Sequence, residues 1–302
     1  MTSYRQDGTV GPWAHEKLEC LGKYLSAYTT ILRKQPWCDG YFYVDAFAGA
    51  GTAPLRESRG AEDPVHQQIF EDLSQSTGDE GRATYVEGSP HVALEIEHPF
   101  SRYYFIDLNS NHIARLESVK NSYEHARDVR ILSEDANDAI VKTILADQTI
   151  NWRKSRAVIF LDPFGMQVKW KTIAAIAKTG SIEIIVNFPV GMAIQRLLAR
   201  SGDISERRQS TLDEYFGTSE WREVVYEESS DLFGPRIDKV TDSGHKLARW
   251  YQGRLSDAFG YASPARLIRN SSGGHLYYLL WAGKNQTAAR IAKDVLNQGE
   301  AI

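Results

Sequence analysis

Five short segments hold the residues whose types and spacing suggest chemistry. They are Asp45-Ala46-Phe47-Ala48-Gly49-Ala50-Gly51-Thr52, Ile106-Asp107-Leu108-Asn109, Ser133-Glu134-Asp135-Ala136-Asn137, Leu161-Asp162-Pro163-Phe164-Gly165 and Asn187-Phe188-Pro189. Each follows an apolar run, and four of the five place an Asp at or next to the end of that run. One such Asp can cap a helix or start a turn. Four in register on one edge point instead to a ligand, since carboxylates accept hydrogen bonds from hydroxyls and amines. The glycine-rich segment does not match the dinucleotide fingerprint. Its third position falls on Pro54, and the next strand-end acid, Asp107, lies 56 residues beyond Gly51 instead of about 20. No phosphate-binding G-x-x-x-x-G-K-[ST] occurs either. A turn of small residues followed by an acid that can hold a ribose diol fits a nucleoside without a pyrophosphate.

The elements that must position these residues are legible in the hydropathy pattern. Leu18, Leu21, Leu25, Tyr28 and Leu32 recur at steps of three and four after Pro12, which predicts a helix ending before Pro36. Tyr41 to Ala48 reads as a strand, as do Tyr103 to Leu108, Val129 to Leu132, Ala157 to Leu161 and Ile182 to Phe188. Most of these runs are continuously apolar, as parallel strands covered on both faces are, and the stretches between them are long enough for crossover helices. The expected fold is a doubly wound, mostly parallel α/β sheet of the Rossmann-like type. Residues 52 to 87, rich in Gly, Ser, Asp and Glu, predict an irregular, partly mobile excursion that could serve as a lid. Residues 192 to 258 predict a helical cap. Arg266 to Arg269 and His275 to Trp281, separated by Asn270-Ser271-Ser272-Gly273-Gly274, predict a hairpin added to the sheet edge. The division expected is a helical extension over 1–40, a core over 41–190, a cap over 191–260 and a closing segment over 261–302.

Composition narrows the classes further. The chain has 302 residues, 42% hydrophobic and 25% charged, which excludes a disordered tail. No uncharged apolar run is long enough to span a bilayer, and the first residues lack the apolar stretch of a secretion signal. Two cysteines, Cys20 and Cys38, are too few for a disulfide framework, and no metal-ligand spacing occurs. The expectation is a cytoplasmic, metal-free protein away from membranes. The net charge of −4 conceals an asymmetry, because ten Lys/Arg face five acids from Leu232 onward. A basic third on an acidic body is compatible with DNA or RNA. Lys169 and Lys171 after the DPFG turn, and Arg196, Arg200, Arg207 and Arg208 in the cap, could track a phosphate backbone, though Asp203 and Glu206 among them also fit an ordinary solvated face.

Taken in order, Trp13-x3-Lys17-Leu18, Ala27-Tyr28-Thr29, DAFAGAGT, Gly88-Ser89-Pro90, FIDLN, DAN, LDPFG, NFP and YYLLWAGKN resemble the three-Cys-motif partner protein family over nearly the whole chain. The glycine turn and LDPFG are also similar to motifs of class I S-adenosylmethionine (SAM) methyltransferases that act on amines of DNA and of tRNA guanine. What the resemblance implies is a SAM-dependent methyltransferase acting on an exocyclic nucleobase amine, with a three-Cys-motif protein as partner. On it, Asp45, Phe47, Gly49 and Gly51 line the methionine end of SAM. Asp107 and Leu108 meet the ribose, and Asp135 and Ala136, with Asn137, meet the adenine. Asp162 and the Pro163 carbonyl would accept the two N–H bonds of the amine, and Phe164 would stack on the base. An Asp-Pro turn over a packed Phe is the structural alternative for the last group, and capping of the next helix is the alternative for Asn137 and Asp138. Two other functions remain open: a non-catalytic SAM- or nucleotide-binding accessory protein, and a small-molecule methyltransferase with a closed apolar pocket.

Overall fold

A helix enters first because proline tolerates the first helical turn, where its missing N–H has no partner to lose. In the computed structural model, which describes residues 12–54, 85–123, 125–231, 234–270 and 273–296, that helix is α1 (Pro12–Leu32). Its stripe of Leu21, Leu25, Tyr28 and Leu32 is buried. The strands follow as β1 (Gly40–Asp45), β2 (Thr52–Pro54), β3 (Tyr85–Glu87), β4 (Arg102–Ile106), β5 (Val129–Leu132), β6 (Ser155–Leu161), β7 (Ile182–Phe188), β8 (Tyr226–Asp231), β9 (Gly234–Lys239), β10 (Tyr261–Ala262), β11 (Arg266–Arg269) and β12 (His275–Gly283). The longer helices after α1 are α2 (Ser89–Leu94), α3 (Ser110–Ser122), α4 (Trp170–Thr179), α5 (Glu206–Phe216), α6 (Ser243–Phe259) and α7 (Gln286–Leu296).

Eight strands form one sheet in the order β5-β4-β1-β6-β7-β12, with β10 and β11 sharing the outer edge of β12. The pairs among β5, β4, β1, β6 and β7 are parallel, and β12 runs antiparallel to β7. From β1 the chain runs outward to β4 and β5, then crosses back to β6 and β7. The order therefore reverses at β1, and a crevice opens outside the carboxyl ends of β1 and β6. Asp45 ends β1 opposite Phe160, so the Asp162 that follows β6 lies at the same edge.

Alternation along each strand divides the core into two layers. Tyr43, Phe105, Val158, Phe160 and Ile185 pack with Leu21 and Leu25 of α1, Leu94 of α2, Leu116 of α3 and Leu296 of α7. Val44, Ile106, Ile159, Leu161 and Val186 face Ile173 of α4, Phe216 of α5 and Tyr251 of α6. Each such fully buried large side chain contributes about 1.5–3 kcal/mol by leaving water.

Two expectations need correction. The cap contains an antiparallel ribbon, β8–β9, where an all-helical segment was expected. Gly234, at φ 117°, opens the second strand in a conformation that favours glycine, and Pro235 has no N–H to continue a helix. The ends of the 52–87 excursion are also regular, since Thr52–Pro54 pairs with Tyr85–Glu87. The intervening stretch, 55–84, where the lid was expected, lies outside the described residues. No described helix is long and apolar enough to cross a membrane.

Candidate functional site

β1 delivers Asp45 to the crevice as a fully buried carboxyl. Tyr43 Oη donates to it at 3.2 Å and the Phe47 N–H at 3.4 Å. Burial pushes its pKa up to about 7, and the nearby Asp162 charge acts in the same direction, while a hydrogen bond from Ser89 opposes them. The chain then turns through Gly49 at φ 61° and Gly51 at φ 77°, both left-handed. Among the described residues, a Cβ built on Gly49 would meet nothing within 4 Å. Gly88 N–H donates to Gly51 O at 2.6 Å, and a Cβ on Gly88 would stand 2.8 Å from that oxygen. The glycines are thus required by backbone geometry in addition to any ligand.

Asp107, just past β4, is tied to that turn. Its Oδ2 accepts from Gly49 N–H at 3.0 Å and its Oδ1 from Asn109 N–H at 2.7 Å. His112 Nδ1, from the first turn of α3, lies 3.1 Å from the same Oδ2. Asn109 caps α3 by accepting from Asn111 N–H at 2.9 Å, which fixes where His112 projects. Sequence reasoning missed His112; the signal was a His one helical turn past a strand-end Asp-x-Asn cap. Leu108, beside the acid, is 67% exposed, an apolar side chain left open at the edge of the crevice.

Asp135 caps the short helical turn Ala136–Asp138, accepting from the N–H groups of Asn137 and Asp138 at 3.0 and 3.3 Å. Asn137, expected beside the adenine, is engaged on both ends of its amide. It donates to Gln167 O at 3.0 Å and accepts from Lys169 N–H at 2.9 Å and Thr172 Oγ1 at 2.8 Å. It therefore staples β5 to the start of α4. Asp138 pairs with Lys142 at 3.0 Å.

Asp162 follows β6 and is held from two sides. Asn187 Nδ2, near the end of β7, donates to Oδ1 at 2.7 Å. Lys17 Nζ, from α1, bonds to Oδ2 and also lies 5.6 Å from the Tyr277 ring centroid. Lys17 and Asn187 stood in the quoted motifs without a role, and only the fold brings them to Asp162. Pro163 is buried, whereas Phe164 is 77% exposed, so the alternative of a packed Phe under an Asp-Pro turn does not hold.

Asp45, Phe47, Gly49, Asp107 and Asp162 are brought to one edge. None of the cations expected to track a phosphate backbone, Lys169, Lys171, Arg196, Arg200, Arg207 and Arg208, is bonded to these aspartates among the described residues; Lys17 is. Lys169 pairs with Glu214 of α5 at 3.2 Å, while Lys171, Arg196, Arg200, Arg207 and Arg208 are exposed. Several of the ten basic residues after Leu232 serve internal contacts: Arg236 pairs with Asp238 at 2.6 Å, Lys239 bonds Leu198 O at 3.2 Å, Arg254 lies 4.0 Å over the Trp170 ring, buried Arg266 pairs with Glu16, and Arg269 donates to Gly273 O at 3.0 Å.

No family model and no curated protein matches this chain. Solved structures similar to it include LPL1258 from Legionella pneumophila str. Philadelphia 1, of DUF519, at 14% identity and TM-score 0.47, covering 93% of this chain and 91% of that one. M. jannaschii TYW2 in complex with AdoMet matches at 12% identity and TM-score 0.33, covering 90% and 75%. Magnesium protoporphyrin IX methyltransferase (ChlM) from Synechocystis PCC 6803, with bound SAH, matches at 9% identity and TM-score 0.34, covering 92% and 89%. Likeness at this level transfers no residue role.

Proposed function

We propose that this chain is a SAM-dependent methyltransferase whose acceptor is an amine, with an exocyclic nucleobase amine of DNA or RNA as the favoured substrate. The observation that carries the reading is Asp107: an ionisable acceptor bonded to Gly49 N–H across a glycine turn that no described residue covers at Gly49, with apolar Leu108 exposed beside it. That combination suits a ribose diol next to a flat base. SAM, when bound, supplies a methyl group on a sulfonium, which an amine lone pair displaces in line.

The chain's own residues divide the work. Asp45, Phe47, Gly49 and Gly51 border the methionine end, Asp107 and Leu108 the ribose, and Asp135 and Ala136 the adenine. Asp162 is the acceptor for the incoming amine, and Asn187 and Lys17 fix its orientation, so the nucleophile is aligned without loss of freedom at the moment of reaction. The Pro163 carbonyl supplies the second acceptor, and exposed Phe164 offers a face for stacking. The Lys17–Asp162 pair favours a second reading, a SAM-binding accessory partner of a three-Cys-motif protein, because Lys17 holds the oxygen an amine would approach.

Transfer of tritium from labelled SAM into total RNA, genomic DNA and a three-Cys-motif partner, run side by side, tests both. Methylation abolished in Asp162→Ala with SAM affinity retained supports the enzyme. SAM binding with no transfer to any acceptor supports the accessory role, and absence of SAM binding overturns both.

A further inference from the structure

The opposite edge of the sheet holds a cavity of about 460 Å³, at the amino ends of β6 and β7. It is framed by the last turn of α1, the Gln35–Trp37 segment and the first turns of α7. A contiguous chamber of about 310 Å³ shares Arg156, Glu183 and Asn285 with it and adds Lys284. The first chamber lies within the range of small-ligand sites, and no residue assigned above lines it.

Its polar groups converge in a way the fold alone does not require. Glu183 is a buried carboxyl inside the apolar run of β7. Tyr24 Oη donates to it, and Trp281 Nε1 in turn donates to Tyr24 Oη at 2.7 Å, so its position is fixed by a relay from β12. Tyr28 is only 6% exposed, yet its hydroxyl has no partner among the described residues. Buried hydroxyls are normally paired, so an orphan on a cavity wall marks a place for a ligand's polar atom. Arg156 stacks 4.4 Å over the ring of Trp37, which is 43% exposed. The pattern is an aromatic and aliphatic chamber with a fixed acid and a free hydroxyl, opening onto a chamber bordered by two cations.

We propose that this cavity is a second ligand site, separate from the carboxyl-edge crevice, that binds a purine nucleoside monophosphate. The base enters the aromatic chamber, where its exocyclic amine donates to Glu183 and a ring nitrogen accepts from Tyr28. The phosphate meets Arg156 and Lys284, as guanidinium and ammonium groups suit a phosphate dianion. Burial pushes the Glu183 pKa up to about 7, so near neutrality this acid can be either acceptor or donor toward a base edge.

Calorimetry on the full chain with AMP, IMP, adenosine and SAM tests the site. AMP is expected to bind about tenfold tighter than adenosine, through the phosphate, and tighter than IMP, which lacks the amine. Tyr28→Phe keeps the ring and is expected to weaken AMP by about five- to tenfold while leaving SAM affinity unchanged. Arg156→Gln is expected to remove most of the preference for AMP over adenosine. AMP binding must persist in Asp107→Ala, which disables only the opposite edge; loss of SAM binding there with AMP retained separates the two sites. No AMP binding up to about 5 mM, equal affinity for AMP and adenosine, or AMP binding lost in Asp107→Ala but kept in Tyr28→Phe would each overturn the proposal.

Discussion

At the scale of single residues, the site joins an acid that is hard to ionise to acids that are bound in place. Asp45 is fully buried, and its pKa is raised from 3.8 to about 7, chiefly by burial. Between those values the unfolded chain is ionised while the folded chain retains the proton, so this group's contribution to stability falls as pH rises and levels off above about 7. The full span is on the order of 4 kcal/mol. Asp45→Asn removes the ionisation and keeps the shape. Its melting temperature relative to the parent chain should rise from pH 5 to pH 8, and a difference independent of pH would show that Asp45 is not held protonated by burial. Asp107→Ala acts differently, because it deletes the acceptor assigned to the ribose. Loss of a charged acceptor costs about 1.5–3 kcal/mol, roughly 10- to 150-fold in affinity. Calorimetry with SAM showing unchanged affinity would remove that assignment.

At the scale of elements, the glycine turn works because two backbone segments touch. Gly88 N–H meets Gly51 O at 2.6 Å, and any Cβ at position 88 would be 2.8 Å from that oxygen. Backbone cannot rotate aside as a long side chain can, so Gly88→Ala must move the turn that also presents Gly49 N–H to Asp107. The expected result is a loss of about 1–3 kcal/mol in stability, read by denaturant melts, together with weaker SAM binding. Gly253 offers the contrast within α6: it is exposed, and a Cβ there would meet nothing within 4 Å. Gly253→Ala should stabilise the chain by about 0.5–1 kcal/mol without changing SAM affinity. If the two variants behaved alike, local packing at the turn would not be what requires glycine.

At the scale of the whole molecule, charge is arranged less simply than the basic final third suggests. Arg266 is buried against Glu16 of α1, and Arg254 bridges the Trp170 ring to the Phe216 carbonyl, so both stabilise the fold instead of facing a polyanion. The exposed cations nearest in sequence to the DPFG turn and on the cap, Arg207 and Arg208 among them, remain available to phosphates. Reversing both to Glu should weaken nucleic-acid binding and flatten its salt dependence, because fewer counterions are released. SAM affinity should not change. Normal binding and methylation of nucleic acid at physiological salt by that variant would show that these two arginines do not track the phosphate backbone.

Much of this architecture is local information. Parallel strands buried on both faces must be continuously apolar, so Ala157 to Leu161 and Ile182 to Phe188 are visible as strands from residue type alone, and α1 from its three-and-four spacing. The strand-end acids follow, since a strand must end where the apolar run ends. Periodicity is blind to partners distant in the chain. Lys17 reaches Asp162 across 145 residues, and Arg266 reaches Glu16 across 250. The β8–β9 ribbon was hidden because its exposed residues follow no burial pattern. Glu183 was hidden for the opposite reason, as a single acid within an apolar strand, and its partner Tyr24 lies off the helix stripe that the spacing picks out. Residue type and spacing along the chain mark the core strands, the first helix and the acids that end those strands. Which of those acids share an edge, which are engaged by other side chains, and where a cavity remains follow from strand order and from packing between elements far apart in the chain, and so emerge with the folded arrangement.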